Sequence, residues 1–567
     1  MCFRWRRDEV RLIKRPNQLV FVPLGGVGEI GMNLALYGLG SDRGGDWLCV
    51  DMGVAFADEA QPGINLIIPD IRFLEGERKN LAGIVLTHAH EDHFGAVFSL
   101  WPRLKVPIYC TPFTAALMEA KRLGESGVPE IPVKIVPVGG RVKIGPFDVE
   151  FIPVAHSIPE SNALAIRTPV GTVVHTGDWK LDPGPVIGKP TDEQKFRAIG
   201  AEGVRAVICD STNAVREGES PSEEEVGESL VKIVREAKGR VAITAFASNV
   251  ARLRSAALAA FEAGREVVVV GRAMERVINV AREMRLLDGV PAFRGVDAFS
   301  SLPRDRVMVL LTGSQGEPRA ALARIAGDDH PDIALDHGDT LIFSSRTIPG
   351  NEKAVNRIIN AMVTQGVHVI TDRDGLVHVS GHPRRGELRR MYEWLKPEVV
   401  VPVHGEALHL SENAKLARSL GVEEVVECRN GDVVRLVPGP AEVIDEVPFG
   451  RVYQDGLLLV NAEERTVAER RKLSFAGVVS VAVALSGRGD IVGDPWVEMT
   501  GLPISVGVNQ TMEDVVMEAV DDAIASLPKA RRRDPDALTQ AITRSVRGAV
   551  NAVWGKKPLC HVLVVQA

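Results

Sequence analysis

Cysteine is scarce and unpaired in this sequence. Six residues (Cys2, Cys49, Cys110, Cys209, Cys428 and Cys560) are scattered over 567 positions without a CxxC pair. That spacing excludes a disulfide-dense scaffold and reads as the reduced thiols of a cytoplasmic protein. Long hydrophobic runs are missing too. The longest uncharged apolar run towards the end covers 475–486, short of the roughly 20 residues of a spanning helix, so a membrane is not expected as a partner. The start, Met1-Cys2-Phe3-Arg4-Trp5-Arg6-Arg7, is basic. No apolar stretch with a small-residue cleavage site follows it, so it is not expected to be a secretory signal. Neither sign of charge dominates: 67 Lys+Arg against 74 Asp+Glu leave −7. This total excludes indiscriminate, whole-surface attraction to phosphate, but not a local basic groove or a bound metal. There is no internal repeat or low-complexity tract, and 45% hydrophobic with 25% charged residues exclude a disordered or collagen-like chain. What remains is a soluble globular chain long enough for about three domains of roughly 150 residues.

The first part alternates short β-rich runs with turn signals. Strands are expected at 19–23, running into Gly25-Gly26-Val27-Gly28, at 47–50 ending on Asp51, and at 83–86 ending on a histidine cluster. A hairpin is expected over 142–153 and a strand over 172–175, before Thr176-Gly177-Asp178. Polar residues thus recur at strand C-termini, where α/β folds place their sites. From about Val204 the texture becomes doubly wound. Strands are expected at 206–209, 240–244, 266–270, 307–311 and 340–343, with helices at 222–238 and 250–263. Ser222 and Glu225 fit a capping box on the first of these helices. Such strand–helix–strand alternation implies a parallel sheet covered on both faces. After Val369 short strands carrying histidines return, then a helix near 411–420 and a Pro-containing connector at 438–448. The last segment combines a strand at 478–485 with helices at 512–527 and 536–554.

The strongest chemical signal is Thr87-His88-Ala89-His90-Glu91-Asp92-His93-Phe94-Gly95. His88 and His90, two apart on an extended segment, point to one face. Asp92 and His93 follow on a turn. Four potential ligands within six residues exceed the needs of one zinc site, so a second cation is the simplest use for the surplus. A loop of solvated histidines does not account for three imidazoles in six positions. Two metals need further ligands, and His156 and Asp178 each end a strand. A carboxylate between two cations can bridge them and offset their repulsion. Asp51, also at a strand end, is expected to orient a ligating imidazole, with a plain turn residue as the alternative.

The HxHxDH run, the later His156, Gly177-Asp178 and the earlier Asp51, in this order, resemble the metallo-β-lactamase superfamily. The resemblance implies an αββα sandwich in which His88, His90 and His156 hold one metal. It implies that Asp92, His93 and a further histidine hold the other, and that Asp178 bridges. The best last ligand is His404 in Pro402-Val403-His404-Gly405-Glu406, 226 residues after Asp178. That gap requires an inserted domain, as in the β-CASP nucleases, whose acidic motif is matched by Asp210 and whose histidine motifs are matched by His382 and His404. Pro23-Leu24-Gly25-Gly26-Val27-Gly28-Glu29-Ile30-Gly31, Phe246-Ala247-Ser248-Asn249, Thr312-Gly313-Ser314-Gln315-Gly316-Glu317-Pro318 and Ile348-Pro349-Gly350-Asn351-Glu352 are similar to the bacterial ribonuclease J family. The expected fold is α/β: a metallo-β-lactamase sandwich (1–205 and 369–447), an inserted doubly wound β-CASP domain (206–368), a linker (448–460) and a small α/β C-terminal domain (461–567).

The same resemblance implies a two-metal ribonuclease: a 5′→3′ exonuclease preferring 5′-monophosphate ends, with endonuclease activity, acting in RNA decay and rRNA and mRNA processing. Two divalent ions, zinc or else manganese, would supply the cofactors. His382, not needed as a ligand, is free to donate a proton or hydrogen bond to the phosphate or the leaving 3′ oxygen. Asp178, Asp210 and Asp51 complete the expected catalytic set. Ser380, Gly381 and His382 offer backbone N–H groups, and Ser248 and Asn249 lead into a helix N-terminus, with a capping role for Ser248 as the alternative. Both segments suit phosphate. His378 could contact phosphate or merely support the loop. Arg346, Arg384, Arg385, Arg389 and Arg390 are candidates to line an RNA channel, whereas 529–533 reads as a solvated face. Single-stranded RNA is the expected partner, with a homodimer or homotetramer formed through the C-terminal domain. Two other readings compete. A small-molecule hydrolase of thioesterase or lactonase type needs neither insertion nor His382, and a non-catalytic RNA-binding relative would have lost ligands.

Overall fold

The computed structural model describes residues 16–41, 44–125, 127–507 and 510–566. The basic start at 1–7 lies outside them. The described chain forms two units, one of residues up to Phe56 with Leu66–Val452, the other of Ala57–Asn65 with Tyr453–Ala567.

Two sheets build the centre of the first unit. One runs, in spatial order, Glu442–Glu446, Asp432–Val437, Leu19–Gly25, Leu34–Ser41, Gly44–Val50, Leu81–Val85, Ile108–Cys110, Val133–Ile135. The other runs Glu424–Val425, Val399–Val403, Ala206–Asp210, Gly171–His175, Asn162–Thr168, Phe147–Pro153, Arg141–Ile144. Phe21, Tyr37, Leu48 and Val434 from the first sheet meet Phe151, Leu164, Ile208 and Val401 from the second in one buried core. This is face-to-face sheet packing driven by alternate inward residues. The outer face of the second sheet is covered by the helices Glu193–Glu202, Arg385–Leu395 and Ala407–Ser419, through Phe196, Met391, Trp394 and Leu416.

A third, wholly parallel sheet is ordered Glu266–Val270, Val307–Leu311, Val241–Thr244, Thr340–Phe343, His368–Ile370. Its strands are near-continuous runs of valine, leucine and isoleucine because both faces are covered. On one side Ala321–Ala326 and Glu352–Thr364 contribute Leu322, Ile325 and Ile358. The helix Glu223–Glu236 opens with the expected capping box of Ser222 and Glu225.

The structure moves several expected boundaries. Ala206–Asp210, assigned by its pattern to the insertion, pairs in parallel with Gly171–His175 and Val399–Val403 and so belongs to the sandwich. A buried parallel strand carries the same apolar run in either sheet, so its neighbours decide its place. At the other end, His368–Ile370 pairs with Thr340–Phe343, so a boundary at 368/369 would cut a strand of the third sheet. His378 and His382 sit on a loop rather than on strands. The expected connector at 438–448 contains the exposed edge strand Glu442–Glu446. The expected linker holds Arg451–Asp455 and Leu458–Asn461, both strands.

The second unit contains the sheet Trp496–Thr500, Val478–Leu485, Leu559–Gln566. Val479, Val481, Val483 and Leu485 pack on Met512–Ser526 and Pro535–Trp554 through Val516, Val520, Ile542 and Val546. It is the expected small α/β module.

Candidate metal centre

Strand ends converge on one point of the first unit. Asp51 follows Gly44–Val50, the His88–His93 run follows Leu81–Val85, His156 follows Phe147–Pro153, and Asp178 follows Gly171–His175. Asp210 closes Ala206–Asp210, and His404 follows Val399–Val403. Two of these residues occupy left-handed backbone, Asp51 at φ 64° and His404 at φ 52°. Such conformations cost non-glycine residues on the order of 1–3 kcal/mol and persist only where the surroundings hold them. For His404 the hold is visible: its N–H donates to Gly26 O at 2.7 Å, and its carbonyl accepts from Thr212 Oγ1 at 3.1 Å.

Three overlapping clusters result: His88, His90, His156 and Asp178; Asp92, His93, Asp178 and His404; and Asp178, Asp210, His382 and His404. In the first, His90 Nδ1 lies 3.0 Å from both His88 Nε2 and His156 Nε2. Asp178 Oδ2 is 3.8 Å from His88 Nε2, 3.6 Å from His156 Nε2 and 3.2 Å from His93 Nε2. Asp92 Oδ2 is 3.6 Å from His93 Nε2 and 3.8 Å from His404 Nε2. The expected ligand set is thus gathered in one place, with Asp178 common to every cluster.

The outer hydrogen bonds turn the rings inward. His93 Nδ1 donates to Asp51 Oδ2 at 2.7 Å, and His156 Nδ1 to Gly381 O at 2.7 Å. Thr87 Oγ1 gives its proton to Asp51 Oδ2 and therefore accepts from His88 Nδ1 at 3.0 Å. His404 Nδ1 meets Asn33 Oδ1 at 2.8 Å, and His382 Nδ1 meets Asp210 Oδ2 at 2.8 Å. With Nδ1–H spent on the outer partner, His88, His156 and His404 each present a bare Nε2 to the centre, the form a cation binds, and His93 would reach that form by giving up its Nε2 proton to an entering ion. Asp51 accepts from both Thr87 Oγ1 and His93 Nδ1.

The electrostatics agree. Burial lowers His88 and His156 well below the ordinary imidazole value and His90 to about 4, so all three stay neutral. Burial also disfavours charge on His93, but Asp178, Asp92 and Asp51 outweigh it and hold that ring well above its usual value. At His382 burial acts downward too, and Asp210 and Asp178 overcome it, giving about 9. Asp178 Oδ1 and His404 Nε2 are fully buried without a hydrogen-bond partner. Facing bare nitrogens, concentrated carboxylates and orphaned acceptors are what divalent cations would satisfy, so the residues present fit two ions.

The phosphate candidates divide. Ser380 Oγ accepts from Asn213 Nδ2 at 2.9 Å and from His382 N at 3.3 Å, which shapes the loop. Gly381 offers its carbonyl to His156, and a Cβ there would stand 2.4 Å from His156 Nδ1, so the position tolerates only glycine. Asn249, not Ser248, caps the helix Val250–Glu262, its side chain accepting from Arg252 N. That helix nevertheless reaches the loop. The buried Arg252 guanidinium pairs with Glu223 at 2.6 Å, donates to Val377 O at 3.0 Å and lies 3.5 Å from His378 Nδ1. Burial, then the Arg252 and Arg346 charges, keep His378 neutral. Arg385 and Arg390 are ion-paired, with Glu217 and Glu412 and with Glu193 and Glu219. Lys529 pairs with Asp490 on an exposed surface. Sequence reasoning passed over Asn33 and Asn213, whose amides carry no chemistry of their own; adjacency to the glycine loop and to Asp210 was the available signal.

Fold and site together define a metallo-β-lactamase sandwich interrupted by a β-CASP insertion. The family model of the metallo-beta-lactamase superfamily matches residues 43–272, and that of the Ribonuclease J beta-CASP domain matches 238–362. The Zn-dependent metallo-hydrolase RNA specificity domain matches 366–427, and the Ribonuclease J C-terminal domain 465–567. The chain is 56% identical over 549 residues to Ribonuclease J of Sinorhizobium meliloti, covering 97% of each chain. It is 39% identical to Ribonuclease J of Mycolicibacterium smegmatis, over 97% of this chain and 98% of the relative. Against that of Thermus thermophilus it is 36% identical, over 96% and 95%. A crystal structure of a protein of unknown function from Enterococcus faecalis V583 shares the fold, with TM-score 0.52 and 15% identity over 74% of this chain and 100% of that one. The chain belongs to the ribonuclease J family, and is a metal-dependent RNA nuclease of its superfamily.

Proposed function

We propose that the chain hydrolyses RNA phosphodiesters at a two-ion centre, proceeding 5′→3′ from 5′-monophosphate ends and also cleaving internally, in RNA decay and rRNA and mRNA processing in the cytoplasm. The observation that carries this reading is the paired cluster around Asp178, overhung by the His382 loop. His88, His90, His156 and Asp178 would hold one ion, and Asp92, His93, His404 and Asp178 the other, with zinc favoured by the imidazole-rich donors and manganese tolerated. When bound, the ions supply charge neutralisation at phosphate oxygens and acidify a water near neutral pH.

The chain's own residues do the rest. Asp210 holds His382 by Nδ1, which leaves Nε2–H of the cation available to the phosphate or the leaving 3′ oxygen. Asn213 fixes the same loop by donating to His382 O at 3.1 Å. Neutral His378, its Nδ1 turned to Arg252, can offer Nε2–H to a 5′-phosphate beside the N–H groups of Ser380 and Gly381. The C-terminal module would join copies into dimers or tetramers, which sedimentation can measure.

The test compares 5′-monophosphorylated with 5′-hydroxyl RNA on protein carrying two ions per chain. Release of mononucleotides from the 5′ end of the first, and slower release from the second, is expected. Hydrolysis of small thioesters or lactones without RNA cleavage would instead establish the small-molecule reading.

A further inference from the structure

The glycine loop at 25–28 takes no part in the scheme above, yet it packs on the last ligand. Gly26 O receives His404 N, Glu29 O receives Gly405 N at 3.1 Å, and Val27 bridges Gly405. At the far end of this loop stands Asn33, half-buried. Its amide orientation is dictated by its neighbours. Asp92 O can only accept, and it lies 3.1 Å from Asn33 Nδ2. That contact places the amide nitrogen, and Oδ1 is left for His404 Nδ1 at 2.8 Å. An oxygen acceptor there forces the His404 proton onto Nδ1, so the orphaned, buried Nε2 carries a lone pair. Gly26, at φ 85°, makes room for this contact: a Cβ would stand 2.2 Å from Asn33 Oδ1.

We propose that Asn33 is a positioning residue of the Asp92–His93–Asp178–His404 ion site: reaching across 371 residues of chain, it selects the His404 tautomer that aims Nε2 at the cluster, and it ties that ligand to Asp92. The proposal rests on the two-ion reading.

The experiment counts zinc retained per chain after dialysis against a competing chelator, for wild type, Asn33→Ala, His404→Ala and the double variant. Wild type should hold two ions. Asn33→Ala should hold one as tightly as wild type and the second about 10- to 100-fold more weakly, the usual effect of removing an outer partner of a metal ligand. Retention of the first ion also reports that the centre has folded. Because Asn33 acts through His404, the double variant should retain zinc as His404→Ala alone does. Two tightly held ions in Asn33→Ala would overturn the proposal. So would loss of both ions, or a double variant weaker than His404→Ala, since either makes Asn33 general support. Fewer than two ions on wild type would sink the two-ion reading and this proposal together.

Discussion

At the scale of single residues, the centre depends on side chains that have no other task. His90 Nδ1 sits between two bare imidazole nitrogens, and Asp178 is shared by all three clusters. His90→Ala or Asp178→Ala should therefore abolish RNA cleavage and lower zinc content, while the circular dichroism spectrum stays that of wild type; residual turnover in both would remove the site. His382 stands differently. It is bonded to Asp210 and is partly open to solvent, where a substrate could reach it. His382→Ala should lower kcat by about 10²–10⁴-fold, the range of a lost general acid, with both ions retained on elemental analysis. Loss of an ion in that variant would make His382 a ligand.

Among elements, the critical joint is between the helix Val250–Glu262 and the loop 377–382. Arg252 is wholly buried and forms a two-pronged pair with Glu223, at 2.6 and 2.9 Å, while its other nitrogen reaches Ser344 and Val377. Taking away one member of such a pair strands its partner's charge in the interior. Arg252→Met should destabilise the fold by about 3–5 kcal/mol, and Arg252→Met with Glu223→Gln by less, measured as unfolding midpoints in urea. Turnover should fall with the single change, because the released loop carries His378, Ser380 and His382. Glu387 secures the loop's far end, accepting from Leu181 N, Ser220 and Arg384 N.

For the whole molecule, folding and ion binding are coupled. The proposed ligands come from positions 88 to 404, so an unfolded chain cannot offer them together, and ions would bind the native state alone. Each ion present at a hundredfold excess over its dissociation constant adds about 2.7 kcal/mol. Chelation should accordingly lower the thermal midpoint, and added zinc should restore it along with cleavage. Among the described residues no helix is long and apolar enough to cross a membrane.

The His88–His93 run was legible because its ligands are neighbours in the chain, and strand-end His156, Asp178 and Asp51 could be read from local apolar runs that stop at a polar residue. His404 could be picked out by its context in Pro402-Val403-His404-Gly405-Glu406, and the length of the gap before it then called for an inserted domain. Family resemblance then joined these fragments into a sandwich with an insertion. Other features were settled by neighbours that no local pattern encodes. The strand Ala206–Asp210 joined the sandwich because Gly171–His175 and Val399–Val403 flank it. Asn249 rather than Ser248 became the cap, and Glu442–Glu446 became an edge strand by pairing with Asp432–Val437. Asn33 acquired its role only when folding set it between His404 and Asp92. Composition and short-range pattern determine which groups can carry a charge or a lone pair. Only long-range packing decides which way each ring faces, because a tautomer is fixed by the partner on its outer side.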